Sequence, residues 1–385
     1  MNRFFRKLKS VTLIILSVVA VLLLGTWLYM QQDKFGTSPS REDKKRYSQF
    51  FNFKDGEFQN ISPTPMLTPN YSWTRLIKEQ LFEKPTAPVP KQAIPSVKTD
   101  LKNLSAEEDV MVWFGHSSYF IQLDEKTYLI DPVFSGNASP VPGTNKAFEG
   151  TDIYRTEDLP KIHYLIITHD HYDHLDYPTI IKLKDQVDKV ICGIGVGNHL
   201  KKWGYAAEKI IELNWYESTK EGHDLTIHCE PARHFSGRGF SRNNTLWASF
   251  LIQSRTMTIY IGGDSGYDKH FADIGNKYPV IDFAILDNGQ YNAAWRAVHC
   301  FPEDVIQAAK DLKAKRILPA HSSKFKMANH NWFDPLETIT RLNETENLNI
   351  ATPKIGEPIN LKDTSQTFEY WWRRLQPADV ENNID

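Results

Sequence analysis

Cysteine is scarce in this chain of 385 residues, which contains only Cys192, Cys229 and Cys300. No two of them have the C-x-x-C spacing of a redox motif or a zinc finger, so the sequence excludes a cysteine metal site and a disulfide framework. Each lies in an apolar run, as small buried side chains do. A strong net charge is also absent, because 45 basic residues oppose 47 acidic ones. The formal charge of -2 therefore indicates no general attraction to nucleic acid or to anionic lipid.

One long uncharged run is present near the N-terminus. Residues 11–30, VTLIILSVVAVLLLGTWLYM, have the length of roughly 20 apolar residues that a bilayer-spanning helix needs. No good small-x-small cleavage site follows, and Trp27 and Tyr29 suit a membrane interface, so we expect an uncleaved anchor rather than a signal peptide. The basic residues before the run are Arg3, Arg6, Lys7 and Lys9. Their positive charge predicts a single-pass protein with a cytoplasmic N-terminus and its main domain on the extracytoplasmic (periplasmic) side.

The pattern of the chain predicts three parts: an anchor over residues 1–30, an arm over 31–105 and a main domain over 106–385. Eight prolines interrupt the arm, which disfavours regular structure, yet its runs YSQFFNF and YSWTRLIKEQLF are too apolar for a solvated linker. We therefore expect the arm to pack on the domain. From residue 109 onward, short β-rich runs alternate with helical patterns. Two blocks of strands with interspersed helices predict an α/β protein with stacked sheets covered by helices.

The stretch THDHYDHLDY, residues 168–177, concentrates histidine and aspartate directly after an apolar strand-like run. Side chains two apart in an extended segment point the same way, so His169 and His171 can hold one metal ion. Asp173 and His174 stand where the chain turns into a helix and can hold a second ion. Imidazole and carboxylate suit Zn²⁺ best here, with Mn or Fe as alternatives. The motif therefore predicts two divalent metal ions per chain.

Two metal ions need more ligands than this stretch offers. Three later apolar runs end in further candidates, in PARHFSGRG, IGGDSGY and LPAHSS. Ligands on separate strands converge when the strands end at one edge of a sheet. The predicted set is His169, His171 and His234 for one metal ion, Asp173, His174 and His321 for the other, and Asp264 as the bridge between them.

With these motifs the sequence resembles the metallo-β-lactamase fold superfamily, and within it the branch of N-acylphosphatidylethanolamine-hydrolysing phospholipase D and its bacterial relatives. The resemblance extends from about residue 50 to residue 372, and the branch also includes sugar-lactone hydrolases. It implies a four-layered αββα sandwich, a binuclear metal site and hydrolysis by a hydroxide between the two metal ions. The stretches that carry it are WFGHSSYFI, LIDPVFS, THDHYDHLDY, PARHFSGRG, GGDSGY and LPAHSSKFKMAN.

Besides the bridging Asp264, three further residues are candidates for the chemistry. Asp131, in LIDP, is expected to orient a ligand histidine, the alternative being a turn cap before a proline. His116, in GHSS, either contacts the substrate or stabilises a tight turn between two strands. Tyr172 either donates a proton to the leaving oxygen or packs as an ordinary aromatic residue.

Substrate binding is expected of four residues where the sequence departs from the eukaryotic phospholipases. Arg233 stands beside the ligand His234, where those enzymes have a neutral residue. Gln290, Tyr291 and Asn292 belong to DNGQYN, which replaces a more apolar loop. These differences affect which substrate is expected to bind, not the expected metal-dependent hydrolysis.

The expected function is a membrane-anchored phosphodiesterase of the phospholipase D type. Its substrate would be an N-acylphosphatidylethanolamine-like phospholipid or another small phosphodiester, and it would reach the membrane through residues 11–30. A lactonase or other ester hydrolase, and a non-catalytic metal-stabilised binding module, stay open as alternatives. A tRNA-processing nuclease of the same superfamily is disfavoured because no long basic arm is visible, and we expect no nucleic-acid partner. The sequence predicts no particular oligomeric state.

Overall fold

The computed structural model describes residues 2–376, so residue 1 of the predicted anchor and residues 377–385 of the predicted domain lie outside the described residues. The chain begins with helix α1 (Asn2–Met30). By length and composition it is the one helix of the described chain able to cross a membrane, and its apolar window is fully exposed. An exposed apolar surface of this size is costly in water, which is why such a helix suits a lipid environment.

The arm contains short elements that dock on the domain. They are helix α2 (Arg41–Tyr47), the hairpin β1 (Phe53–Lys54) and β2 (Glu57–Phe58), and helix α3 (Trp73–Phe82). The Ser40 side chain caps α2 and the Ser72 side chain caps α3. Tyr47, Phe53 and Phe58 are buried in the main hydrophobic core. The arm up to the hairpin is therefore part of the packed structure.

A seven-stranded sheet follows in the described chain. Its order is β15-β3-β4-β5-β6-β7-β8, antiparallel from β15 to β5 and parallel from β5 to β8. The central strands are buried on both faces, which explains their continuous apolar sequences. The strands are β3 (Val110–Trp113), β4 (Tyr119–Leu123), β5 (Lys126–Ile130), β6 (Ile162–Ile167), β7 (Val187–Gly193), β8 (Ile210–Leu213) and β15 (Pro358–Asn360).

The second sheet of the described chain has six strands. These are β9 (Ser218–Lys220), β10 (Thr226–Glu230), β11 (Ser249–Gln253), β12 (Thr258–Ile261), β13 (Phe283–Asp287) and β14 (Ile317–Ala320). Their order is β14-β13-β12-β11-β10-β9. Because β11 is antiparallel to both β10 and β12, and β12 to β14 are parallel, four strands run in one direction. The carboxyl ends of β10, β12, β13 and β14 therefore meet at one edge.

Helices cover the outer face of each sheet. Helices α4 (Tyr177–Leu183) and α5 (Val196–Lys202) bury apolar side chains against the first sheet. Helices α6 (His270–Lys277), α7 (Pro302–Asp311) and α8 (Asp334–Glu346) do the same against the second. Between the sheets, side chains such as Ile121 and Ile166 pack in one core with Phe250 and Ile261. The predicted four-layered αββα sandwich is confirmed.

Candidate metal centre

The two sheets bring the ends of several strands to one place. His169 and His171 follow β6, and Asp131 follows β5, which is parallel to β6. From the second sheet, His234, Asp264 and His321 follow β10, β12 and β14. Parallel strands end at the same edge, so residues distant in sequence meet at the open end of the sandwich.

Three histidine nitrogens converge in a first group. His171 Nδ1 lies 2.9 Å from His169 Nε2 and 3.2 Å from His234 Nε2. A tetrahedral zinc ion with Zn–N bonds of about 2.0–2.1 Å separates its ligand nitrogens by about 3.3 Å. All three side chains are thus within the spacing that one metal ion requires.

A second group lies on the other side of Asp264. Asp264 Oδ1 lies 3.1 Å from His174 Nε2 and 3.0 Å from His321 Nδ1, whereas Asp264 Oδ2 lies 3.8 Å from His169 Nε2 and 3.7 Å from His234 Nε2. Each oxygen of this carboxylate therefore faces one of the two groups. Asp173 Oδ2 completes the second group, 3.4 Å from His174 Nε2.

The hydrogen bonding of the described chain tests whether these residues fit metal ions. Buried polar atoms are almost always hydrogen-bonded, and an exception calls for an explanation. His174 Nε2 and Asp264 Oδ1 are among the buried side-chain atoms of residues 2–376 that have no hydrogen-bond partner, and these two lie 3.1 Å apart. Both atoms point toward the centre of the second group, as ligand atoms do. The residues present therefore fit two divalent ions.

Burial and neighbouring charges determine the protonation states of the candidate ligands. It lowers the pKa of His169, His234 and His321 well below the usual histidine value, so these rings are neutral and offer a lone pair. Burial alone would raise the pKa of Asp264, but His174 and the other histidines around it hold that pKa well below its usual value.

His174 is the exception, because Asp264, Asp173 and Asp131 raise its pKa well above the usual value although burial alone would lower it. An ionised carboxylate and neutral imidazoles are the ligand forms that bind a divalent cation, so His174 would give up its proton on binding a metal ion.

Asp131 and His116 contact the second group. Asp131 Oδ2 lies 2.8 Å from His174 Nδ1, and Asp131 also accepts hydrogen bonds from the Thr168 backbone and hydroxyl. This contact directs the other nitrogen of His174 toward the metal position, the role expected of a carboxylate behind a ligand histidine. His116 lies in the tight turn with φ of 55°, and its Nε2 is 2.9 Å from Asp173 Oδ2. It contacts a ligand carboxylate directly.

The side chains of Tyr172 and Arg233 form hydrogen bonds outside the cluster of candidate ligands. The Tyr172 hydroxyl donates to the Arg238 carbonyl at 2.6 Å, so this proton is already in use and we do not assign it to the leaving oxygen. Arg233 donates to the Pro63 carbonyl and the Thr64 hydroxyl of the arm, at 2.8 and 3.1 Å. Neighbours in an extended segment point to opposite sides, so Arg233 faces away from the site that His234 faces.

The DNGQYN segment is mainly structural in this chain. Gln290 borders the cavity at the cluster, but its amide is bonded to the backbone of residues 321–328. Tyr291 stacks between Phe301 and His330, with ring centroids 4.8 Å away in each case. Asn292 accepts a hydrogen bond from the Ala294 backbone and caps a short turn. The structure brings the predicted metal ligands together but does not direct the polar groups of these three residues toward a substrate.

His299 and Asp287 are functional candidates that the sequence did not single out. His299 Nδ1 lies 2.9 Å from Asp287 Oδ2, and its ring lies beside the rings of His234 and His321. Burial alone would lower the pKa of His299, but the Asp287 carboxylate raises it. Asp287 ends β13, at the same edge as Asp264. The position of Asp287 at the end of a strand could have indicated a site residue, whereas nothing in the sequence AVHCF indicates a role for His299.

Two cavities meet at the metal centre. The smaller one has a volume of about 270 Å³ and is bordered by the candidate ligands His171, Asp173, Asp264 and His321. The second has a volume of about 500 Å³ and is mostly apolar. The two share His234, Phe235, Trp295 and His299. The apolar cavity extends from there to Met66, Leu67, Trp73 and Leu76 of the arm.

An αββα sandwich with such a centre at the open end of its sheets defines the metal-dependent hydrolases of the metallo-β-lactamase fold. The chain belongs to this superfamily, since residues 126–322 match the Beta-lactamase superfamily domain. Divalent metal binding is a property of the fold, in agreement with the clusters described above.

Comparison with individual proteins agrees with this assignment. The chain is 35% identical over 326 residues to an uncharacterized protein of Mycobacterium tuberculosis, covering 84% of this chain and 87% of that one. It is 29% identical over 269 residues to N-acyl-phosphatidylethanolamine-hydrolyzing phospholipase D 1 of Caenorhabditis elegans, covering 64% and 74%. In fold it is similar to an isothiocyanate hydrolase from Delia radicum gut bacteria, with a TM-score of 0.51 at 18% identity over 65% of this chain and 98% of that one.

Proposed function

We propose that this protein is a membrane-anchored phosphodiesterase that cleaves an N-acylphosphatidylethanolamine-like phospholipid in the manner of a phospholipase D. The observation that carries the proposal is the pair of adjoining cavities. The smaller cavity, which the candidate metal ligands border, suits a phosphate, and the larger, mostly apolar cavity suits an acyl chain. A concave site with apolar walls and a few directed polar groups is typical of an amphiphilic ligand.

Two further observations support a lipid substrate. The nematode relative that matches this chain carries phospholipase D activity on this lipid class in its name. Helix α3, which borders the apolar cavity, also leaves Ile77, Leu81 and Phe82 largely exposed. A contiguous apolar surface of this kind is typical of a membrane or partner contact.

In this proposal the metal ligands are the set predicted from the sequence. His169, His171 and His234 would hold one ion, Asp173, His174 and His321 would hold the other, and Asp264 would serve both through its two oxygens. Two bound divalent ions supply Lewis acidity and an activated water as the nucleophile. His116 and Asp131 orient Asp173 and His174 through the contacts described above.

His299 is the residue best placed to move a proton to the leaving group. Its Nδ1 is engaged with Asp287, so the other ring nitrogen is the one available for proton transfer. The ring borders both cavities, where the phosphate and the acyl chain of the substrate would join. A histidine held by a carboxylate in this way is a common general acid.

The proposal includes the orientation of the protein. Residues 1–30 anchor the chain, residues 31–105 form the arm, and residues 106–385 form the hydrolase domain. The basic residues before the apolar run would keep the N-terminus in the cytoplasm and place the domain in the periplasm.

The full-length protein in phospholipid vesicles tests the proposal. With N-acylphosphatidylethanolamine present, we expect release of N-acylethanolamine and formation of phosphatidic acid, both identified by mass spectrometry. The Asp264→Asn variant is the control and should release neither. Turnover of a lactone panel without phosphodiester cleavage would instead favour the lactonase alternative. Loss of metal-dependent turnover on every substrate would favour a binding module.

A further inference from the structure

The residues that follow the membrane helix are seated directly on the domain. We call residues 33–37 the clamp segment. Three of its backbone carbonyls accept hydrogen bonds from side chains of the domain. These run from Trp203 Nε1 to Asp33 (2.8 Å), from Lys202 Nζ to Gly36 (2.8 Å), and from Arg238 Nε and Nη2 to Lys34 (3.1 and 2.6 Å).

Arg238 connects the clamp segment to the metal-ligand turn. Its Nη1 donates to the carbonyls of Asp170 and Leu175, both at 2.7 Å, and its guanidinium lies 4.1 Å from the centre of the Tyr172 ring. Residues 170–175 contain the ligands His171, Asp173 and His174. Since the guanidinium is a rigid planar fork, one side chain holds both ends of this turn against the clamp segment.

His199 makes a second connection. The Thr37 backbone N–H donates to His199 Nδ1 at 2.9 Å, so the ring proton must be on Nε2. His199 Nε2 lies 3.2 Å from Asp170 Oδ2, and the Gly237 backbone N–H donates to Asp170 Oδ1 at 2.7 Å. Asp170 stands between the ligands His169 and His171. The position of Thr37 therefore selects the tautomer that holds the backbone between two ligands.

We propose that the clamp segment is a working part of the metal centre, in which Arg238 and His199 are positioning residues. Helix α1 and the ligand turn of residues 170–175 are then connected rigidly through the clamp segment rather than by a flexible linker. When the clamp segment leaves its seat, the turn loses the support of Arg238 and of the His199–Asp170 contact. The metal ions should then be held less tightly, whatever the substrate is.

Gly36 offers a way to unseat the clamp segment without changing any residue near the metal ions. It has φ of 71°, and an added Cβ would lie 2.1 Å from His199 Nδ1. Gly56 is a matched control, because it has φ of 85° but an added Cβ would meet no atom within 4 Å. Both substitutions place alanine at a positive φ, although Gly36 also has ψ of −144°. Only Gly36→Ala brings a Cβ against His199 and so displaces the clamp segment.

The experiment compares the full-length variants, loaded with zinc in detergent micelles, by the rate at which a chromogenic chelator removes the metal. Loss of a residue that supports a metal ligand commonly costs 10–100-fold in affinity, so Gly36→Ala should release zinc at least about 10-fold faster than Gly56→Ala. Cobalt-loaded samples should show shifted absorption bands for Gly36→Ala alone. Equal release rates and equal spectra would overturn the proposal. A Gly56→Ala protein without bound zinc would overturn the metal centre itself.

A second pair of variants decides the question if Gly36→Ala does not fold. Glutamine at position 199 can accept from the Thr37 backbone and donate to Asp170, whereas phenylalanine keeps the ring but neither hydrogen bond. We expect His199→Phe to release zinc about 10-fold faster than His199→Gln. Equal rates in the two variants, whether fast or slow, would contradict the role of His199 in the clamp.

Discussion

Asp264 faces both groups of candidate metal ligands. One oxygen faces His174 and His321, and the other faces His169 and His234. Both oxygens are needed, because each lies within reach of a different group. An amide in its place has one oxygen and no charge, so it can serve at most one group, and with less attraction for a cation.

The first prediction follows from this geometry. Asp264→Asn should lower the metal content from about two ions per chain toward zero, whereas His169→Ala should leave about one. The rate of hydrolysis should fall by more than about 100-fold in both variants. Removal of only the hydrogen-bond partner of a metal ligand costs about 10–100-fold, and these substitutions remove a ligand itself. Metal content is measured by mass spectrometry of the purified protein. Asp273→Asn, an exposed aspartate on α6, is the control and should retain both ions. If Asp264→Asn kept two ions, the bridging assignment would be wrong.

A second prediction concerns His299. His299→Gln should lower kcat by about 100-fold or more, because general acid catalysis contributes on that order. Its metal content should be unchanged, since His299 is not in the proposed ligand set. Steady-state kinetics and metal analysis of the same preparation measure both quantities. His228→Gln, on β10 and bonded to Gln253, controls for loss of an imidazole. A parallel loss of metal and activity would instead make His299 a ligand.

At the scale of elements, the loops after strands present the candidate metal ligands, and in the proposed function α3 contacts the acyl chain. α3 buries none of its residues, yet both of its flanks are attached to the domain. The Thr68 backbone donates to the Ala294 carbonyl, and Asn329 donates to the Glu83 carbonyl. Between these attachments, Trp73 and Leu76 border the apolar cavity. A short helix thus forms one wall of the cavity.

The third prediction tests this wall. Leu76→Ser should raise KM for a long-chain substrate by about 10-fold, because burying a leucine side chain is worth on the order of 1.5–3 kcal/mol. Its kinetics on a small soluble phosphodiester should match wild type, since the metal centre is untouched. Gln80→Ser, an exposed position on the same helix, should change neither. An equal rise in KM for both substrates would argue against acyl binding at α3.

At the scale of the whole molecule, the proposed function has helix α1 and the hydrolase domain act together. Tethering raises the effective concentration of the site at the bilayer surface. We therefore expect deletion of residues 1–30 to lower the rate on vesicle lipid by at least about 10-fold, while the rate on a soluble phosphodiester stays near wild type. The deletion keeps the clamp segment, so the soluble assay reports an intact centre. Equal losses on both substrates would mean that the deletion disturbs the metal centre itself, and unchanged rates on both would mean that the helix contributes only location.

Much of the fold could be predicted from the sequence. The continuous apolar runs HYLIIT, KVICGI, MTIYIGG and IDFAILD predict strands, because strands buried on both faces have such sequences, and each run forms a strand in the structure. The helical spacing of residues 303–314 and 334–347 predicts two helices, and these are present as α7 and α8. The helices α5 and α6 were not predicted. They are seven and eight residues long, too short for periodicity to stand out.

Sequence and tertiary structure determined different parts of the candidate site. The spacing H-x-H-x-D-H and the polar residues after apolar runs predict the ligand set, and the structure brings these residues together because parallel strands end at one sheet edge. The substrate contacts expected at Arg233 and at residues 290–292 were decided only by the fold, which directs Arg233 to the arm and bonds Gln290 to the backbone. The His299–Asp287 contact and the clamp segment likewise join residues 12 and more than 160 positions apart. Local sequence specifies which side chains a strand end can present, whereas side-chain direction and long-range hydrogen bonds depend on how the layers pack.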